Sequence, residues 1–312
     1  MWSGCSLEIK ILRAIHAVKP TKTTKGSIVV KQIATLKQAL DSAREISALR
    51  KEIHFVLLMG PNGAGKNKKG RIICDLGQSI GTYRIVMSDV IKQHRRRKTP
   101  LGIQFEQEQG IEDGGGLLSD APVISAFEEE VLNTFELHKS VQDGHTCRIV
   151  LDGFPRNPAQ MKRFMSYRVP YTIFAINIGE ATCLERVDHR AKMEGPRSDD
   201  ASAPDRFRLL TRNIGEMTRM AKRSNPHSVI LINGILPVRD QIMRILKRTF
   251  SPRDVLRMAK RLDNRTDSAR SLMDEVEGKK YHGATAHSIP GAQTGWHEQR
   301  EPSVSSAQLA TA

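Results

Sequence analysis

The chain has 312 residues, of which 39% are hydrophobic, and it carries a net charge of +15. This length allows one large domain or two small ones with a buried core, and the charge suits a polyphosphate ligand, although a solvated basic surface or nonspecific attraction to nucleic acid explains it as well. The four cysteines have no CxxC spacing and no apolar run approaches the roughly 18 residues that cross a bilayer, which excludes disulfide scaffolds, zinc clusters and membrane spans.

Residues 1–50 form a basic N-terminal extension. Its first part is nearly free of acidic residues, which makes import into an organelle an alternative to the cytoplasmic location that we expect. Within residues 28–50, five apolar residues lie near one helical stripe and predict an amphipathic helix: Val30, Ile33, Leu36, Leu40 and Ile46.

From residue 51 the chain alternates short apolar runs with helical patterns. Such alternation predicts right-handed crossovers and a doubly wound α/β domain with a five-stranded parallel sheet, ending near residue 250. The strands are predicted at Ile53–Met59, Tyr83–Met87, Arg148–Leu151, Tyr171–Ile178 and Val229–Ile232. The helices are predicted at Lys66–Leu76, Ser125–His138, Ala181–Ala191, Arg206–Arg223 and Val238–Thr249.

Residues 251–312 read as a polar tail. Asp254–Val276 has the pattern of an isolated polar helix. From residue 281 the tail is rich in Gly, Ser, Thr, Ala and Gln without apolar periodicity, so we expect disorder there.

The strongest local motif is GPNGAGK at Gly60–Lys66, between a predicted strand and a predicted helix. Gly60, Gly63 and Gly65 let the backbone N–H groups point at phosphate oxygens, and the helix N-terminus and Lys66 add positive charge. The P-loop pattern GxxxxGK[ST] is met up to Lys66 and then fails, because Asn67 occupies the Ser/Thr position.

A second motif, LDGFPRNPAQ at Leu151–Gln160, follows the third predicted strand. In a parallel sheet an Asp at the carboxyl end of this strand lies beside the P-loop, where Asp152 would hold a metal ion through water. Arg156 would bind a transferring phosphoryl group bidentately. Taken alone, the motif is also compatible with an Asp-Gly turn and a structural arginine.

Together the two motifs resemble the adenylate kinase and UMP/CMP kinase family of nucleoside monophosphate kinases, and the resemblance covers about residues 53–250 in order. It implies a P-loop fold with a monophosphate-binding arm at about residues 83–140 and a short lid at about 190–206. The implied activity transfers the ATP γ-phosphoryl group to a nucleoside monophosphate, with AMP favoured and UMP or CMP close behind. Mg²⁺ is the implied cofactor, and a monomer that binds no membrane and no nucleic acid is expected.

The resemblance also implies roles for individual residues. ATP would lie against Gly60, Gly63, Ala64, Gly65, Lys66, Asn67, Lys68 and Arg186, the last stacking on adenine. The monophosphate would meet Ser88, Asp89, Lys92, Gly153, Arg156 and Gln160, the last reading the base. The catalytic charges would come from Lys66, Arg156, Arg190, Arg197 and Arg208, with Asp199 and Asp200 orienting the lid arginines.

Two departures from the family pattern bear on activity. Where the family has TGDLLR, this chain has Met87 in place of a base-contacting Thr and Lys92 in place of an Arg. After the P-loop lysine the family has Gly-Thr-Gln, and this chain has Asn67, Lys68 and Lys69. The missing Thr hydroxyl is normally a magnesium ligand, so we expect slow turnover.

Two alternatives stay open at this point. The chain would be a catalytically impaired family member that binds nucleotide and has a structural or interaction role, which the altered P-loop favours. It would otherwise be a basic nucleic-acid-binding protein with a coincidental P-loop, against which the aromatic content of 5% speaks mildly.

Overall fold

A computed structural model of the chain describes residues 41–108, 117–141, 146–195, 200 and 202–277. The chain divides into two units, Met1–Thr266 and Asp267–Ala312. The second unit is described only over residues 267–277, which are helical. The expected disorder from residue 281 and the first 40 residues of the extension lie outside the described residues.

The first unit is built on one sheet of five parallel strands. They are β1 (Ile53–Met59), β2 (Thr82–Val86), β3 (Cys147–Asp152), β4 (Tyr171–Asn177) and β5 (Val229–Asn233), in the order β2-β3-β1-β4-β5. All four neighbouring pairs are parallel. The predicted five-stranded parallel sheet is confirmed, and each strand lies within two residues of its predicted bounds.

The three central strands β1, β3 and β4 are mostly buried on both faces because helices cover the sheet on both sides. Along β1, Phe55 and Leu57 belong to one core cluster, and Val56 and Leu58 belong to the other. All four side chains are buried. This double burial fixes the register of β1 in the centre of the sheet, and with it the loop that follows Met59.

Besides the helical residues 41–48, nine α-helices connect or flank the strands in the described part of the chain. They are α1 (Lys66–Gly77), α2 (Met87–Arg97), α3 (Pro100–Gln107), α4 (Asp120–Val141), α5 (Pro158–Ser166), α6 (Glu180–Glu194), α7 (Ala203–Ser224), α8 (Val238–Thr249) and α9 (Pro252–Glu277). The five predicted helices are all present. Among the described helices, none combines the length and the apolar character needed to cross a membrane.

The described residues just outside the predicted domain boundaries pack on this unit. Residues 41–48 are helical, and Ile46 is buried in the first core cluster. Val255, Met258 and Leu262 of α9 are buried in the second cluster. The expectation of an isolated polar helix at Asp254–Val276 is therefore wrong for its first turns, since three apolar side chains at helical spacing face the core. The domain boundaries near residues 50 and 250 stay a prediction.

Candidate functional site: a glycine-rich loop ringed by cations

The loop between β1 and α1 has the backbone that its glycines predict. Gly63 and Gly65 have φ angles of +83° and +72°, a region that other residues rarely enter. A Cβ atom on Gly63 would lie 2.4 Å from the carbonyl oxygen of Cys183. Helix α1 then starts at Lys66 with no side-chain cap and no acidic residue in its first turn. Its N-terminal N–H groups therefore suit an anion.

Lys66 is held against this loop. Its Nζ donates hydrogen bonds to the carbonyl oxygens of Gly60 at 2.7 Å and Pro61 at 2.8 Å. Burial lowers the pKa of Lys66; the charge of Asp152 opposes this shift, and the charges of Arg156 and Arg206 add to it. The predicted residues Lys66, Asp152 and Arg156 thus lie close enough to influence one another, although they come from three separate segments.

Lys69 is a site residue that the sequence did not reveal. It is 2% exposed, and its Nζ donates to the carbonyl oxygen of Ala64 at 2.8 Å. Burial first, and then the charges of Arg186, Lys66 and Lys68, lower the pKa of Lys69 to about 8. The helical spacing in the sequence did indicate this burial, because Lys69 shares a helical face with the buried Ile73 and Leu76. Asn67 and Lys68, by contrast, are exposed.

Asp152 ends strand β3 and is buried, as its place in the motif predicts. Its partner was not foreseen: Nη2 of Arg84, on β2, lies 3.4 Å from Oδ2 of Asp152. A Cβ on Gly70 would lie 2.9 Å from Nε of Arg84, so the glycine leaves room for this guanidinium beside α1. The carboxylate expected to hold a metal through water therefore already faces a cation.

These residues do not fit the implied Mg²⁺. The hydroxyl ligand is replaced by Lys68, and the carboxylate is ion-paired with Arg84. Hard divalent cations prefer oxygen ligands and are repelled by ammonium and guanidinium groups, so this loop is a poor magnesium site.

The residues after Asp152 form a tightly bonded turn. Gly153 has a φ of +86°, and Nε of Arg156 donates to its carbonyl oxygen at 3.0 Å. Gln160 is 1% exposed and is engaged at both ends of its amide. Its Oε1 accepts from the backbone N–H of Arg156 at 2.8 Å, and its Nε2 donates to Asp120 at 2.9 Å. In this conformation both polar atoms of the amide that was expected to bind the base are hydrogen-bonded to the protein itself.

A small cleft lies beside this turn and has a mostly apolar wall. Its lining residues are Met87, Ile91, Leu117, Leu118, Val123, Gly153, Arg156 and Gln160. Of the residues expected to meet a monophosphate, Gly153, Arg156 and Gln160 line it. Ser88 is half-buried, while Asp89 and Lys92 are exposed, and none of these three belongs to the lining.

Helix α6 brings two predicted arginines to the loop side. Arg186 donates from Nη1 to the carbonyl of Gly63 at 3.4 Å and from Nη2 to the carbonyl of Gly234 at 3.3 Å. It thereby joins the glycine loop to the turn after β5. Arg190 forms an ion pair with Asp200. Arg197 and Asp199, the remaining lid residues, lie outside the described residues.

The last arginine of the set differs from expectation. Arg208 on α7 has a side chain 69% exposed and lies near Glu180 and Asp205, at 3.6 and 3.7 Å. Arg206 is instead 3% exposed, and its charge acts on Lys66. Helical phase explains the difference, because residues 206, 210, 213 and 217 share the buried face of α7 and residue 208 does not. That periodicity was visible in the sequence.

Comparison with known proteins by sequence gives the following relationships. No model of a known protein family matches the chain. The chain is 30% identical over 159 residues to an adenylate kinase of Thermus thermophilus, an alignment that spans 49% of this chain and 74% of that protein.

Two further relatives carry the same name. An adenylate kinase of a Cyanothece species is 31% identical over 150 residues, covering 46% of this chain and 69% of the relative. An adenylate kinase of Laccaria bicolor is 33% identical over 107 residues, covering 34% of this chain and 36% of the relative. With its five-stranded parallel sheet and glycine-rich loop, the chain belongs to the adenylate kinase family as a divergent member.

Proposed function

We propose that the chain is a phosphotransferase that binds ATP at the glycine-rich loop and transfers its γ-phosphoryl group to a nucleoside monophosphate. AMP is the favoured acceptor, since the relatives are named adenylate kinases, with UMP or CMP close behind. The observation that carries the proposal is a loop with two glycines of positive φ that leads into the uncapped N-terminus of α1, where Lys66 is hydrogen-bonded to two loop carbonyls and the charges of Asp152, Arg156 and Arg206 act on it.

In the proposed step an oxygen of the acceptor phosphate attacks the γ-phosphorus, and the bond to the β–γ bridging oxygen breaks, leaving ADP. This reaction needs positioning and charge neutralisation more than covalent help. Lys66 and Arg156 would neutralise charge on the transferring group, and Arg190, Arg197 and Arg208 would close over it from the lid side. Arg206, which is buried and whose charge acts on Lys66, is a further candidate for holding the phosphates.

Turnover is proposed to be slow. Ordinary kinases of this chemistry turn over at about 1–100 per second, and one misplaced charge or ligand removes about 10²- to 10³-fold. The Mg²⁺ expected from the resemblance has no part in the proposed step, because the residues around the loop do not fit it.

A second candidate function is nucleotide binding without transfer. It is favoured by Gln160, whose amide is bonded at both ends to the protein and so is not available to an acceptor base in this conformation. An impaired member of this kind would serve as a structural or interaction module. It would bind ATP at the loop and take up a monophosphate weakly or not at all.

A coupled assay that offers AMP, UMP, CMP or GMP with ATP tests the proposal. We expect slow, acceptor-dependent ADP formation that Lys66→Ala abolishes, whereas Lys247→Ala, at an exposed position on α8, leaves it unchanged. Turnover that survives Lys66→Ala would refute the assignment to this loop. ATP binding without any turnover would favour the second candidate.

A further inference from the structure

The cations around the glycine-rich loop outnumber what the family pattern requires. Three lysines, Lys66, Lys68 and Lys69, stand in the first turn of α1, which contains no acidic residue. Positive side chains at a helix N-terminus are unfavourable unless an anion lies there, because the helix dipole already makes this end positive. Compared with the family pattern, this chain therefore has extra positive charge after the loop. The charge lies where the resemblance implies a hydroxyl ligand for a metal ion.

A fourth cation, Arg84, lies beside α1, where a Cβ on Gly70 would be 2.9 Å from its Nε. Arg84 stands 3.4 Å from Asp152, and its position on β2 is fixed by the pairing of β2 with β3, which aligns Val86 with Asp152. The carboxylate of Asp152 thus has the guanidinium of Arg84 beside it, and its charge also acts on Lys66. A magnesium ion would have to enter beside a guanidinium and an ammonium, and the carboxylate that would attract it is already neutralised.

We propose that this loop binds the nucleotide polyphosphate without magnesium, with Lys68, Lys69 and Arg84 supplying the positive charge that the metal supplies elsewhere. The inference rests on the proposed binding of ATP at this loop. Metal-free ATP is the more negative form, so a site with excess fixed cations favours it over the magnesium complex. Lys69 acts from behind the loop, through its bond to the Ala64 carbonyl, and Lys68 acts from the exposed side.

The test is a calorimetric titration of the full chain with ATP, once in EDTA and once in excess MgCl₂ at matched ionic strength. We expect the dissociation constant in EDTA to be equal to or lower than that in magnesium. Tighter binding in magnesium overturns the inference. In the double variant Lys68→Thr with Arg84→Gln, the ratio of the two constants should shift by about tenfold towards magnesium, because two repelling charges are gone.

Two controls keep the test decisive. Lys68→Thr alone changes an exposed residue, so it serves even if the double variant does not fold. It must move the ratio of the two dissociation constants in the same direction as the double variant. An unchanged ratio overturns the inference. Lys247→Ala should leave it unchanged. Metal-free binding without phosphoryl transfer supports this inference and refutes the proposed activity. Magnesium-dependent binding with turnover supports the proposed activity and refutes this inference. No binding in either buffer refutes both.

Discussion

Lys69 gives a prediction whose sign and size follow from its surroundings. Its ammonium is buried under the loop, and burial together with Arg186, Lys66 and Lys68 lowers its pKa from 10.5 to about 8. We predict that Lys69→Gln stabilises the folded chain at pH 7. The neutral amide avoids the cost of burying a charge, and its N–H₂ group keeps a donor for the Ala64 carbonyl.

The magnitude follows from the pKa difference. One pKa unit corresponds to about 1.4 kcal/mol, so the shift of Lys69 costs the parent about 3 kcal/mol of unfolding free energy at neutral pH. The lost geometry of the lysine bond offsets part of the gain, and we expect a net stabilisation of about 1–3 kcal/mol. Between pH 8 and 10.5 the unfolded chain holds the proton and the folded chain does not. The unfolding free energy of the parent should therefore rise across this window, and that of the variant should not.

Guanidinium denaturation of both proteins, at pH 7 and across this alkaline window, measures the effect. Lys68→Gln is the matched control, since it changes a neighbouring lysine that is exposed, and it should stay within about 0.5 kcal/mol of the parent. The reasoning fails if Lys69→Gln is less stable than the parent at pH 7 and the parent shows no gain in stability between pH 8 and 10.5.

Two further predictions follow from the structure, and a third follows from the composition of the tail. Burial and the charge of Arg148 lower the pKa of His54 from 6.5 to about 4. The stability that the neutral imidazole contributes should be complete above pH 6.5 and lost as the pH falls to about 4. His54→Asn should therefore flatten the plot of melting temperature against pH between these two values. Arg206→Lys should weaken ATP binding by about tenfold or more, because the residue is buried beside Lys66, whereas the exposed Arg208→Lys should leave the calorimetric affinity within about twofold. Deletion of residues 281–312 should leave the melting temperature and any turnover nearly unchanged, and a large loss of either would show that the tail contributes to the folded unit.

The fold could be predicted because its signals are local. The strand at Ile53–Met59 is a continuous apolar run between charged and glycine-rich segments, and the structure reproduces its bounds. The helix at Val238–Thr249 was equally clear from its periodicity. The packing of α9 was missed because three apolar residues, Val255, Met258 and Leu262, are diluted by many charges.

The site was only partly predictable, since its decisive contacts join distant segments. No pattern in the sequence indicates that Arg84 pairs with Asp152, 68 residues away, or that Asp120 occupies the amide of Gln160, 40 residues away. Arg206 was not among the predicted residues, although it lies on the buried face of α7 and Arg208 does not. Lys69 was given no role from the sequence, although its buried helical face distinguishes it from the exposed Lys68.

The most direct test of nucleotide binding at this loop is calorimetric titration with ATP of the parent and of Lys66→Ala, with Lys247→Ala as the surface control. Lys66 is held by the carbonyls of Gly60 and Pro61 at the start of α1, so its loss removes the central charge of the loop and leaves the fold intact. We predict that ATP affinity falls by tenfold or more, about 1.4 kcal/mol, in Lys66→Ala and stays unchanged in the control. Equal affinity in all three proteins would contradict the binding of ATP at this loop.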